Sequence, residues 1–187
     1  MNILLLAPRG FEILEFSALF DVLGWAKDLG YDTKVITCGF EKQVPSAFGA
    51  LFTVDVLMDD INLDAYDALA ITGGFEEDGY YEDVYSDGFL DLIRAFHSKN
   101  KIIASICTGA LPLGKSGILA GRKAATYWRR REELAAFGAE VVSEQIVVDG
   151  NIITSSCPGS AIPVAFQFLE MLTDTETMNR VKETMGF

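Results

Sequence analysis

Lys101-Ile102-Ile103-Ala104-Ser105-Ile106-Cys107-Thr108-Gly109-Ala110 decides how this chain is read. An apolar run stops at a cysteine that small residues fence on both sides. Ser105 lies two positions before it, and Gly109 and Ala110 follow two and three after it. That spacing marks a strand turning sharply into a helix. The bend leaves no space for large neighbours and pushes the central side chain out over the sheet edge. A helix that begins there aims unpaired N–H groups and a positive dipole end at the sulfur. Both favour thiolate, the reactive form. Cys107 is therefore read as a nucleophile. The competing reading is a buried cysteine ending a core strand, a common place for a free thiol.

Outward from this segment, apolar β-branched runs alternate with helical patterns. Strands are expected near 2–7, 33–38, 67–71, 101–106 and 151–155, with shorter ones near 44–45, 51–55, 123–126, 140–142 and 145–148. Helices fit 11–29, 84–98, 108–117, 129–137, 159–172 and 175–184. This alternation predicts an α/β protein with a mostly parallel sheet covered on both faces. Val147-Val148-Asp149-Gly150-Asn151-Ile152-Ile153 reads as a hairpin with an Asp-Gly turn. No repeat or linker interrupts the chain, so residues 1–187 are expected to form one domain. Sites in such sheets form beyond the carboxyl ends of the strands. Three loops qualify: after 2–7, after 67–71, and at Cys107.

The first helix carries the second signal. Stepping 100° per residue puts Leu19, Val22, Leu23 and Ala26 on one face with Glu12 and Glu15. Glu15 falls inside that apolar face. A carboxyl there is partly buried or aimed at a specific group, and burial raises its pKa. A protonated Glu15 has a hydrogen to donate to a thiolate. The alternative is a first-turn glutamate favoured by the helix dipole, which suits Glu12 better.

Ile71-Thr72-Gly73-Gly74-Phe75 closes a strand with two glycines. The backbone comes close there, and the N–H near Gly74 with that of Thr108 is expected to form an oxyanion-type cradle beside the sulfur. Glu76-Glu77-Asp78-Gly79-Tyr80-Tyr81-Glu82-Asp83 follows and reads as a solvated acidic loop.

Composition narrows the function classes. The net charge is −12 with a pI near 4.4, which disfavours nucleic acid and anionic membrane surfaces as partners. Arg129-Arg130-Arg131 is followed at once by Glu132-Glu133 and reads as a solvated helix face. No stretch reaches the roughly eighteen apolar residues of a membrane span. Met1-Asn2-Ile3-Leu4-Leu5-Leu6-Ala7 is short, lacks a basic lead and is expected to be a core strand, not a signal peptide. Three cysteines, Cys38, Cys107 and Cys157, show no metal-type spacing and fit a reducing cytoplasm. His97 is the one histidine, so a histidine-built zinc site is excluded, and no metal is expected.

Taken together, Gly10-Phe11-Glu12-Ile13-Leu14-Glu15, Ile71-Thr72-Gly73-Gly74, Ile106-Cys107-Thr108-Gly109-Ala110, Gly121-Arg122-Lys123-Ala124-Ala125-Thr126 and Thr154-Ser155-Ser156-Cys157-Pro158-Gly159-Ser160 resemble, in order, the motifs of the ThiJ/PfpI superfamily. The resemblance covers nearly the whole chain. It implies a flavodoxin-like, glutamine-amidotransferase-type three-layer sandwich, a homodimer, a reactive Cys107, and Glu15 hydrogen-bonded to its sulfur. Catalytic members usually carry a histidine where this chain has Tyr127. A tyrosine with a pKa near 10 does not accept a proton at neutral pH, so Cys–His peptidase or amidase chemistry is not expected.

Two function classes follow, with no bound cofactor in either. In one, Cys107 meets an oxidant, Glu15 stabilises the oxidised sulfur, and the protein is redox-responsive and protective. In the other, Cys107 attacks a small electrophile, with Glu15 as acid/base and Thr108 as polar helper. The run Cys107-Thr108-Gly109-Ala110-Leu111 resembles the isonitrile-hydratase branch, and α-oxoaldehydes of the methylglyoxal type are a related substrate class. Gly73, Gly74, Phe75, Tyr127 and Trp128 are expected around the pocket. Cys38 is expected to be inert core. A resolving role for Cys157 requires its Cα within about 7 Å of that of Cys107.

Overall fold

The computed structural model describes residues 1–187. Eleven strands run in chain order: β1 Asn2–Leu6, β2 Lys34–Gly39, β3 Gln43–Pro45, β4 Leu51–Thr53, β5 Val56–Leu57, β6 Ala68–Ile71, β7 Ile102–Ser105, β8 Lys123–Ala124, β9 Glu140–Val141, β10 Ile146–Asp149 and β11 Ile152–Ser155. Seven helices separate them: α1 Ile13–Asp28, α2 Tyr80–Val84, α3 Asp87–Ser98, α4 Ala110–Lys115, α5 Arg131–Ala136, α6 Ala161–Leu172 and α7 Thr175–Thr184. The central sheet has the order β10-β11-β7-β6-β1-β2-β5. Every pair in it is parallel except the β10–β11 hairpin.

The strands are apolar on both faces because both faces are covered. Along β1, Ile3 and Leu5 join a core with α1, α6 and α7, while Leu4 and Leu6 join a second core with α3, α4 and Leu134 of α5. The period of two in strand side chains divides one continuous apolar run between two layers of helix. This is the sheet covered on both faces that the alternation of elements predicted, and the three-layer sandwich that the resemblance implied.

Local chemistry accounts for the shifted boundaries. Helix α1 starts at Ile13 rather than near 11, because Phe11 is held in bridges to Ser46 and Gly74 and Glu12 acts as N-cap. The helix expected over 84–98 is α3, which begins at Asp87 with Ser86 capping it through the Phe89 N–H, while α2 forms in the segment expected to be a solvated acidic loop and buries Tyr80 and Asp83. The expected strands at 123–126 and 140–142 shrink to β8 and β9, a separate parallel pair outside the central sheet. The pattern over 108–117 opens with a tight 3-10 turn, Cys107–Gly109, before the six-residue α4. Gly150, in the left-handed region at φ 63°, makes the expected β10–β11 turn.

β1 and β6 are neighbours, yet the chain leaves β1 toward β2 on its other side. A crevice therefore opens beyond their carboxyl ends, at the point where strand order reverses. The loops after β1, β6 and β7 all reach it.

Candidate functional site

Cys107 holds the bend with φ 57°, a left-handed conformation rare for any residue with a Cβ. Three contacts keep it there. The Gly109 N–H bonds the Ile106 carbonyl at 2.8 Å, closing the turn. The buried Thr126 hydroxyl donates to the Cys107 carbonyl at 2.9 Å. Close approach of the β6 loop completes the hold: a Cβ on Gly73 would stand 2.7 Å from Thr108 Oγ1 and 3.0 Å from Cys107 Cβ. A Cβ on Gly109 would stand 2.9 Å from the Ile71 carbonyl oxygen. The small residues of the opening segment are thus a steric requirement of the bend.

Glu15 lies beneath the sulfur and is wholly buried. Its Oε2 accepts the Gly73 N–H at 2.6 Å. Its Oε1 is buried without a hydrogen-bond partner, and the Cys107 side chain is near enough to influence the carboxyl. Of the two readings of Glu15, the structure selects the buried, directed one. Glu12 takes the ordinary role, capping α1 by accepting the Leu14 N–H at 3.2 Å.

Burial is the main influence on both acids. It raises Glu15 from the usual carboxyl range to about 8, against the pull of the Gly73 N–H. It also pushes the Cys107 thiol up, and an ionised Glu15 pushes it further, while the Thr108 N–H favours thiolate. The sequence-based expectation of a thiol lowered by a helix end therefore needs correction. The helix is short, it follows a tight turn, and Cys107 is only 8% exposed. The helpful carboxyl is the protonated one. Near neutral pH Glu15 carries a proton, so it has no charge to oppose the sulfur and has a hydrogen to offer when a thiolate forms. The two groups release their protons as a coupled pair.

The cradle also differs from expectation. The Gly74 N–H donates to Thr108 Oγ1 at 2.9 Å, and that hydroxyl donates to the Gly74 carbonyl at 3.2 Å. This two-way clasp joins the β6 and β7 loops and occupies the Gly74 N–H. The Thr108 N–H addresses the sulfur itself. Thr108 is thereby a strut of the site.

A cleft of about 400 Å³ opens above Cys107. Phe75, Tyr127, Thr108 and Gly74 line it, as the sequence suggested. Trp128 does not: it is 60% exposed and stacks against Arg129, its ring centroid 4.7 Å from the guanidinium. Gly73 lies under the cleft floor and is buried.

Sequence reasoning missed several wall residues. Arg129 and Arg130, read as a solvated face, line the cleft, as do Tyr81 and Pro158. Glu76 and Glu77 of the acidic loop also border it. Arg130 pairs with Glu76 and with Glu133, the latter at 3.2 Å, and lies 5.0 Å from the centre of the Tyr81 ring. Burial pushes the Tyr81 phenol up to about 12, so it stays neutral and keeps a proton to donate. Only the triplet of arginines hinted at this wall. His97 lies in the last turn of α3, on the helix before β7.

Cys157 begins the turn after β11 and is half-buried, and Cys38 is buried in the second core with its thiol pushed up to about 12. All three cysteines are free. No group of three or more His, Cys, Asp or Glu side chains is arranged to hold a metal. No helix is long and apolar enough to cross a membrane.

Comparison with known proteins follows the same outline. The sequence matches the DJ-1/PfpI family over residues 1–171. It is 30% identical to the deglycase PfpI of Pyrococcus furiosus over 173 residues, covering 92% of this chain and 99% of that protein. Protein DJ-1 homolog A of Arabidopsis thaliana is 29% identical over 98% of this chain, which spans 46% of the plant protein. The crystal structure of Drosophila melanogaster DJ-1beta superposes with a TM-score of 0.88 at 26% identity, covering 98% of this chain and 96% of the other.

Proposed function

Because this chain belongs to the DJ-1/PfpI family, we propose that it is a redox-responsive protective protein whose oxidisable centre is Cys107. One observation carries this reading. A buried carboxyl, itself raised to about 8 and with one oxygen left without a hydrogen-bond partner, lines the same cleft as a cysteine held at a strained bend. A protonated Glu15 has a hydrogen to donate to a thiolate sulfur or to an oxygen of a sulfenate or sulfinate, because each carries a negative charge that a thiol lacks. The neutral acid therefore favours oxidised sulfur over thiol. Free thiols at all three positions fit the reducing cytoplasm expected for such a protein.

Mild peroxide tests it. Peptide mass spectrometry is expected to find oxygen on Cys107 before Cys38 or Cys157. Earlier oxidation of either of the others rejects the reading.

A second reading is favoured by the cleft, whose volume suits a small electrophile directly above the sulfur. Here Cys107 adds to the electrophilic carbon, Glu15 gives and takes the proton, and Thr108 holds the sulfur through its N–H. The relative named a deglycase points to α-oxoaldehydes or their adducts as a first substrate class. The missing histidine means that Glu15 alone serves as acid/base. A turnover screen with α-oxoaldehydes and isonitriles on wild type and Cys107→Ser separates this from the first reading. Turnover that survives the substitution removes Cys107 from the mechanism.

We also propose a homodimer. Ile13, Leu14 and Phe20 on α1 are 40%, 50% and 45% exposed, and Phe48 and Leu51 beside β4 are 81% and 70% exposed. Such a collection of large apolar groups marks an association surface. Sedimentation is expected to give twice the chain mass, and Leu14→Glu with Phe20→Glu to give the monomer.

A further inference from the structure

We propose that Cys157 is the resolving partner of Cys107: once peroxide has oxidised Cys107, Cys157 captures it as an intramolecular disulfide. This rests on the oxidisable Cys107 proposed above and adds the reaction that follows.

The sheet brings the two residues together. β11 runs parallel beside β7, with Ile152 opposite Ile103 and Ile153 opposite Ala104. The registered pairs end three residues before Cys107 and four before Cys157, so both cysteines leave neighbouring strands at the same carboxyl edge of the sheet, where a disulfide needs their Cα atoms within about 7 Å. Packing agrees: the Cys107 turn contacts β11, and Pro158 forms part of the wall of the Cys107 cleft. A charge on Cys157 is felt at the Cys107 sulfur.

Cys157 is also free to move. Its backbone is extended (φ −168°, ψ 164°), and its sulfur has only two long contacts, with Gln145 Nε2 at 3.9 Å and Ser156 Oγ at 3.7 Å. Rotation about χ1 breaks nothing stronger. Cys38 has no such access. It lies on β2, three strands from β7 and on the opposite core face from Cys107.

The chemistry balances with hydrogen peroxide as oxidant. The Cys107 thiolate attacks one peroxide oxygen: an S–O bond forms, the O–O bond breaks, and hydroxide leaves and takes a proton. Sulfur loses two electrons and peroxide gains them. The Cys157 thiolate then attacks the Cys107 sulfur: an S–S bond forms, the S–O bond breaks, and a second hydroxide leaves as water. Two thiols and one peroxide become one disulfide and two waters. Capture at this stage diverts Cys107 from the irreversible sulfinic state, and an external dithiol restores both thiols.

The wild-type protein is treated with two equivalents of hydrogen peroxide, enough to carry one thiol to the sulfinic state, then alkylated, digested without reductant and mapped by mass spectrometry. The expected product is a peptide pair joined through Cys107 and Cys157, lighter by two hydrogens and released by dithiothreitol. Cys157→Ser is expected to lose this species and to accumulate sulfinic Cys107 instead. Sulfinic Cys107 with Cys157 still a thiol in the wild type overturns the inference and leaves the oxidisable centre standing. A disulfide between two chains also overturns it. Failure of Cys107 to oxidise at all overturns both.

Discussion

Replacing Glu15 tests the sign of its action on the sulfur. An ionised carboxylate beside Cys107 opposes a second negative charge, whereas a protonated one donates to it. The acid is raised to about 8, so near neutral pH the donor form prevails. Glu15→Leu removes that donor. A hydrogen bond to a charged group contributes about 1.5–3 kcal/mol, and one pKa unit corresponds to about 1.4 kcal/mol, so below about pH 8, where the acid holds its proton, losing the donor should act on Cys107 like a rise of about one to two pKa units. The thiolate fraction at a fixed pH below that pKa then falls about tenfold to a hundredfold. Glu15→Gln keeps both an acceptor for the Gly73 N–H and a donor for the sulfur, and should shift the thiol less. The assay is ultraviolet titration of thiolate absorbance in a Cys157→Ser background, with a Cys107→Ser blank. Above about pH 8 the parent's carboxylate is charged and the order reverses, but a Glu15→Leu protein that ionises Cys107 more readily than its parent below pH 8 refutes the reasoning. It would mean that the carboxylate charge, and not the proton, governs the site.

Three further outcomes are expected. Glu15 has a folded pKa above its unfolded value, so its contribution to stability is full below about 4.5 and is lost as pH rises through about 8. Glu15→Gln escapes that loss, and urea unfolding should find it more stable by about 3 kcal/mol at pH 7 and by nothing near pH 4. Gly73→Ala forces a methyl to within 2.7 Å of Thr108 Oγ1 and should cost about 1–3 kcal/mol in the same measurement, together with slower alkylation of Cys107. Tyr127→His puts a group that titrates near neutral pH on the cleft wall, and the pH profile of Cys107 alkylation should gain a step near 6.5 that the parent lacks. An unchanged profile would mean that position 127 does not communicate with the sulfur.

What could be read from the residues depended on how local the cause was. The bend at Cys107 was legible because its requirement for small neighbours is written within a few positions. Glu15 was legible because helical geometry alone puts it among apolar side chains. The sandwich followed from alternating elements. The arginine wall was not legible. It depends on a 3-10 turn over Trp128–Arg130 and on β8 and β9 leaving the main sheet, neither of which has a periodic signature. The same turn directs Trp128 outward and Arg129 and Arg130 to the cleft. The occupied Gly74 N–H was hidden for a similar reason: its partner, Thr108, lies 34 positions away. The thiol was expected to be lowered because a helix end was visible in the sequence and the depth of burial was not.

The groups that surround the sulfur come from positions 15, 73, 108 and 126, gathered from distant parts of the chain. Long loops must close before any of them meet, which makes this centre a late arrival in folding. A nascent chain still emerging from the ribosome holds residue 107 as an ordinary, unperturbed thiol. Its distinctive chemistry switches on only when the last of these segments docks. Thiol labelling rate is therefore a clock for completion of the fold, because the open thiol of an unfinished chain is labelled faster than the buried native one.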